Sequence, residues 1–198
     1  MVGSFSASVL PLMHTISSLA ANNIIQSVSY ATFPISLMII GTAISVVFAT
    51  FSMKHLGRKR GLMFLLSTGL CACLLAAYAL DIENFYLFSL AAFLLGALNA
   101  TIHQMRFVAL EAVKEINHAT AAAIFMSSGI FAAFLGPEIG FMGKDIFEVE
   151  FKGSFILAAI LVAISMISLC LFNELKKEIK NIKKTKTSTS KLLSNPIF

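Results

Sequence analysis

Residues 54–61 read KHLGRKRG and set four cations, Lys54, Arg58, Lys59 and Arg60, in one short burst. The 53 residues before it contain no Asp, Glu, Lys or Arg. The run after it, LMFLLSTGLCACLLAAYAL at 62–80, contains none either. Ionised side chains are costly in hydrocarbon, and the short cytoplasmic loops of membrane proteins carry an excess of Lys and Arg. The burst therefore separates two membrane-crossing segments and reads as a cytoplasmic loop.

Composition outside the burst agrees. The chain has 198 residues, is 58% hydrophobic and 13% charged, and has a mean hydropathy of +0.86. A soluble domain carries about 25% charged residues. One soluble core cannot shelter this much apolar surface, so the bilayer is the expected solvent. A spanning helix needs about 20 mostly apolar residues. Segments 2–21, 32–53, 62–80, 85–105, 119–137 and 154–172 qualify. The first is the weakest, being rich in Ser and carrying Pro11 and His14.

The expected fold is all-α, a polytopic membrane bundle of six transmembrane helices over 1–173, followed by a basic tail at 174–198. Short spacers predict antiparallel neighbours. Small residues are expected where backbones approach, at Gly41, Ala43 and Ser45 in the second span and at Gly96, Ala97 and Ala100 in the fourth.

Alternating the spacers between two sides gives an orientation. Lys54, Arg58, Lys59, Arg60, Arg106, Lys114 and the tail lysines fall on one side, and only Lys144 and Lys152 on the other. Both termini are expected in the cytoplasm. The N-terminus has no basic n-region, so no signal peptide is expected. Cys71, Cys73 and Cys170 lie in apolar runs, an odd count that argues against a disulfide framework or a metal site. No metal-binding His/Glu cluster or phosphate-cradling glycine loop is present, so no cofactor is expected. The lysine tail lacks a groove-reading or stacking face and does not point to nucleic acid. An intramembrane serine protease needs a glycine where MSSG (126–129) has Met126, so an enzyme is not expected.

Polar residues inside spans mark candidate sites. In NATIHQMRFVALEAV (99–113), Asn99, His103 and Arg106 fall at i, i+4 and i+7, one face of a helix. Such residues face a bundle interior or a water-filled path. They read either as an interhelical hydrogen-bonding trio or as a cavity wall that meets a polar or anionic solute. Histidine changes charge near neutral pH, so His103 also admits proton coupling.

Three stretches carry a resemblance. HLGRKRG resembles the loop 2–3 signature of the major facilitator superfamily, keeping Gly57, Arg58, Lys59 and Arg60 but placing Thr50 where its first glycine belongs and Lys54 where its aspartate belongs. AAFLGPEIG (132–140) resembles the same superfamily's fifth-helix glycine-proline motif through Gly136, Pro137 and Gly140. Glu111 resembles its loop 4–5 carboxylate, which pairs with loop 2–3 arginines. TFPISLMIIGTA (32–43), GALNATIHQMRFVALEAV (96–113) and GIFAAFLGPEIG (129–140) together look like a bacterial branch that includes riboflavin-transporter-like members.

The resemblance implies the N-terminal half of a twelve-helix transporter in a bacterial inner membrane. It implies two inverted three-helix repeats, about 1–80 and 85–173, and secondary-active transport of a small solute by alternating access. The basic stretch and Glu111 become a cytoplasmic gating loop, and Gly136, Pro137 and Gly140 a bend. The tail motif SNPIF resembles the approach to a seventh helix. A single half then implies a second six-helix half or a homodimer as partner, or else a truncated, transport-inactive fragment.

Overall fold

A computed structural model describes residues 2–25, 30, 32–111 and 118–171. They form six helices: α1 (Val2–Ile25), α2 (Phe33–Leu56), α3 (Arg58–Asp81), α4 (Phe85–Glu111), α5 (His118–Met142) and α6 (Lys152–Leu171). The basic tail and Lys114 lie outside the described residues. In hydrocarbon every backbone N–H and C=O must be bonded internally, and a helix does this within one segment. A helix of 24 residues is about 36 Å long, enough for a hydrocarbon core of about 30 Å. α2 to α6 are each long and apolar enough to cross a membrane, and α1 contributes a shorter apolar stretch, Ser8–Ala21.

The surface fits a lipid solvent. Val47, Phe131, Phe134 and Met142 are each at least 70% exposed. In water such patches would drive aggregation; against acyl chains they cost nothing. The three tyrosines, Tyr30, Tyr78 and Tyr86, are exposed together at one end of the bundle. Phe85 sits among them, stacked on Phe33 at 6.0 Å and edge-on to Tyr30 at 6.5 Å. Tyrosine favours the membrane–water boundary because its ring is apolar and its hydroxyl is not. The cations of 54–60 gather at the opposite end.

Helix contact rests on glycine. A Cβ on Gly41 of α2 would overlap the Phe93 carbonyl of α4, and one on Gly96 of α4 would overlap backbone atoms of Gly41 and Thr42. Gly136 of α5 lies against the Ser8 carbonyl and Pro11 of α1, and Gly140 against Ile16. Ala43, expected at a contact, is exposed; the α2 face that meets α4 runs through Met38, Gly41 and Thr42 instead. Inside, α3 contributes small buried residues, Gly69, Ala72, Cys73, Ala76 and Ala79. α4 and α6 fill the space beside them, with Phe88 edge-on to Phe155 at 5.5 Å.

The connections are tighter than expected. The basic burst is not a loop: Lys54 and His55 end α2, and Arg58, Lys59 and Arg60 form the first turn of α3. One residue makes the corner. Gly57 has φ 85° and ψ 157°, a region essentially closed to residues with a Cβ, and its N–H bonds the Met53 carbonyl at 3.1 Å. Lys and Arg propagate helix well, so the helical backbone continues as far as sterics allow.

α3 ends in a Schellman turn. Asn84 N–H reaches the Ala79 carbonyl, Glu83 N–H reaches the Leu80 carbonyl, and Glu83 takes φ 50°. Asn84 then caps α4 through Oδ1, which accepts from Leu87 N–H at 3.1 Å. α5 runs through Pro137 to Met142, past the boundary expected at 137.

The α5–α6 connection is folded on itself. Phe151 N–H bonds the Lys144 carbonyl, and Ser154 Oγ donates to the Gly140 carbonyl. The Lys144 ammonium lies 2.9 Å from Glu150. The hydrogen bond to that carboxylate raises the lysine's pKa. A raised lysine pKa contributes fully at neutral pH and is lost only as pH climbs through the lysine range.

Glycine contact predicts a sharp contrast. Gly96→Ala is expected to lower stability by about 1–3 kcal/mol or more, because its methyl meets backbone that cannot move aside. Gly129→Ala, whose methyl meets open space, is expected to be neutral or slightly stabilising. Thermal unfolding in detergent micelles checks both.

Candidate functional site

Towards its basic end α4 carries a polar stripe: Asn99 is half-buried, and His103 and Arg106 are exposed beside the exposed Phe107. Helical spacing places the three on one stripe about 10 Å long. They do not bond to one another. His103 and Arg106 make no hydrogen bond or ion pair with any described residue.

Asn99 is tied across the bundle. Its Nδ2 donates to Thr42 Oγ1 at 3.3 Å, and Thr42 in turn donates to the Met38 carbonyl at 2.8 Å. Eight residues further along α2, Thr50 donates to the Val46 carbonyl at 3.0 Å and accepts from Gln104 Nε2 at 3.5 Å. Thr42 and Gln104 were not singled out in the sequence, and Thr50 only as a departure from the loop motif. Their signal was available: two threonines eight apart share a helix face, opposite amides on another span. Thr50 occupies the position of the missing motif glycine, so the departure from that motif coincides with a polar link to α4.

The basic corner is anchored to α6. Lys59 Nζ donates to the Cys170 carbonyl at 2.7 Å, in the last turn of α6. Cations at the start of α3 oppose that helix's dipole, and the negative end of α6 offsets this for Lys59. The far end of the same helix pair holds a matching contact. Lys152, first in α6, lies 2.8 Å from Asp81, last in α3. Each charge sits at the unfavourable end of its own helix and is compensated by the other. Arg58 is half-buried and Arg60 exposed beside the corner. Glu111 is the last residue of α4, and its side chain lies outside the described residues, as does any ion pair with Arg58 or Arg60.

Gly136, Pro137 and Gly140 have a packing role. Gly136 and Gly140 seat α1, and Pro137 of α5 stands beside the crossing with Pro11 of α1. Proline removes one helical donor, which leaves the carbonyl four residues earlier without its usual partner. All three cysteines are free, and no cluster of His, Cys, Asp or Glu among the described residues is arranged to hold a metal.

Six apolar helices, a basic corner of this form and an intramembrane polar stripe together narrow the family. The model of the Major Facilitator Superfamily matches residues 1–198. The chain belongs to the major facilitator superfamily. It is thus a multi-pass integral membrane protein of a transporter family. It is 26% identical over 195 residues to the riboflavin transporter RfnT of Brucella anthropi, a match covering 97% of this chain and 49% of that protein. The chain spans about half the length of this curated relative. No solved structure matches.

The cross-helix bonds can be separated from the exposed stripe. Thr42→Val is expected to cost about 0.6 kcal/mol, the usual scale of a hydrogen bond between membrane helices. His103→Leu, which breaks no described bond, is expected to leave the unfolding midpoint unchanged. A double-mutant cycle with Asn99→Leu isolates the Thr42–Asn99 coupling.

Proposed function

We propose that this bundle is the N-terminal half of a secondary-active transporter that moves a small solute by alternating access. The observation that carries the proposal is the stripe Asn99, His103 and Arg106 on the unburied side of α4. An imidazole and a guanidinium facing acyl chains would be expensive, whereas facing a water-filled path they supply donors to a solute. The relative's printed name makes riboflavin the first solute to try.

The proposed setting is a bacterial inner membrane with both termini cytoplasmic. The cations gathered at one end support the orientation. The two three-helix repeats, 1–80 and 85–173, are supported by which helices pack. α2 against α4 and α5 against α1 are the most extensive pairings. The two exchange when each helix is replaced by the one three places on. α3 against α4 and α6 against α1 do the same.

Alternating access rocks one six-helix half against another. The partner is a second six-helix half or a second copy of this chain. The basic corner acts as the gate: Gly57 permits the one-residue turn, and Arg58 or Arg60 pairs with Glu111 in one state.

Uptake of labelled riboflavin by cells expressing the natural gene tests the reading. Transport above the empty-vector background is expected, and Arg58→Ala is expected to cut it about tenfold, equivalent to about 1.4 kcal/mol. Insertion, followed by reporter fusions, should not change. Background-level uptake would remove flavins as the solute. Full activity in Arg58→Ala would remove the gating role.

A further inference from the structure

The two ends of the bundle differ in charge. Every carboxylate among the described side chains, Asp81, Glu83, Glu138, Asp145, Glu148 and Glu150, lies towards the end opposite the basic corner. At the corner itself Lys54, His55 and Arg60 are exposed. Lys59 is held by the Cys170 carbonyl of α6. Lys54 and Arg60 make no hydrogen bond or ion pair with a described residue. Lys54 also stands where the loop motif places an aspartate, so the corner lacks that carboxylate too.

An excess of cations at a membrane boundary needs no particular partner. This corner is singled out by the apolar side chains beneath its cations. On α2, Phe51 lies one turn deeper in the membrane than Lys54 and His55, and its ring meets the His55 ring at 4.4 Å. On α3, Phe64 lies one turn deeper than Arg60. Both phenylalanines are exposed. Spacings of three and four residues put each ring on the same side of its helix as the cation, about 5–6 Å below it. At the end of α6, Leu171 is exposed as well, and the Lys59 contact ties that end to the start of α3. The surface is therefore cationic at headgroup level and apolar immediately beneath. A phospholipid of net negative charge has the same order of polarity. A zwitterionic headgroup brings a cation of its own to the corner and gains less there.

We infer that Lys54 and Arg60 hold the headgroup of an anionic phospholipid at the α2–α3 corner, with its acyl chains against Phe51 and Phe64. The lipid phosphate supplies the negative charge that no described carboxylate brings to this end. A Lys or Arg close to an anionic lipid surface contributes a factor of about five in affinity, so the two cations are enough for a clear selection. The contact goes beyond the transport reading and involves no solute.

The chain has no tryptophan, so Phe64→Trp installs a sole fluorescent reporter beside the corner. Leu74→Trp, at an exposed position about 15 Å further along α3, is the control. Each full-length variant is reconstituted into vesicles of phosphatidylcholine and phosphatidylglycerol, with brominated, quenching chains on one lipid at a time. Phosphatidylglycerol is expected to outcompete phosphatidylcholine at least about fivefold at 64, and the two to compete about equally at 74. Adding Lys54→Gln and Arg60→Gln is expected to bring the ratio at 64 down to that at 74. Excess inorganic phosphate is expected to leave the ratio at 64 unchanged.

Equal competition at 64 overturns the inference. A preference at 74 as large as at 64 overturns it too, because it would belong to the whole leaflet. So does a preference at 64 that survives loss of both cations. Suppression by inorganic phosphate would assign the corner to a free anion instead of a lipid. None of these outcomes depends on whether riboflavin is transported.

Discussion

Apolar side chains gain little by leaving lipid for one another, so this bundle depends on how closely its backbones approach. Gly41 and Gly96 let α2 and α4 meet at backbone distance, and Gly136 lets α5 meet α1 in the same way. At such separations dispersion acts over long stretches of both helices. The cross-helix bonds from Asn99 to Thr42 and from Gln104 to Thr50 become geometrically possible only because of that approach. The buried alanines of α3 and the Phe88–Phe155 pair then fill what the close crossings enclose.

Polar groups in this molecule obey one rule with two outcomes. At the ends of the helices, charges find compensation. Lys59 bonds the C-terminal turn of α6, and Lys152 meets Asp81 at the other end of the same pair. Within the spans, hydroxyls fold back on their own helix, as Thr15, Thr42 and Thr50 do. His14, His103 and Arg106 do neither. They stand on the unburied sides of α1 and α4 without a described partner. Leaving such groups unpaired in lipid would be costly, and this is the ground on which a solute path is proposed along α4.

Much of this was legible in the chain itself, and the reasons differ by element. Six helices were visible, five of them long and apolar enough to cross a membrane, because an apolar run of about 20 residues has few uses other than crossing a bilayer. Asn99, His103 and Arg106 were placed on one stripe because helical spacing alone decides it. The corner at 54–61 was misjudged as a loop. Charge marks a membrane boundary but not the end of a helix, and Lys and Arg propagate helix well. The extent of α5 was missed for a related reason: Gly136 and Pro137 resemble a stop signal, yet the glycine serves α1 and the helix runs on to Met142.

The sequence by itself determined the solvent, the number of helices and the end of the bundle that carries the cations. These follow from hydropathy and charge, which are local properties. Only the tertiary structure decided which helices touch and which side of each is left uncovered. Ala43 and Gly41 look alike as small residues, but one is exposed and the other lies against Phe93. Ser18 and Ser17 are neighbours, one half-buried and the other buried. The side of α1 that carries His14 shows the same limit. Its spacing can be read from the chain, but that it is left uncovered depends on where α4, α5 and α6 pack.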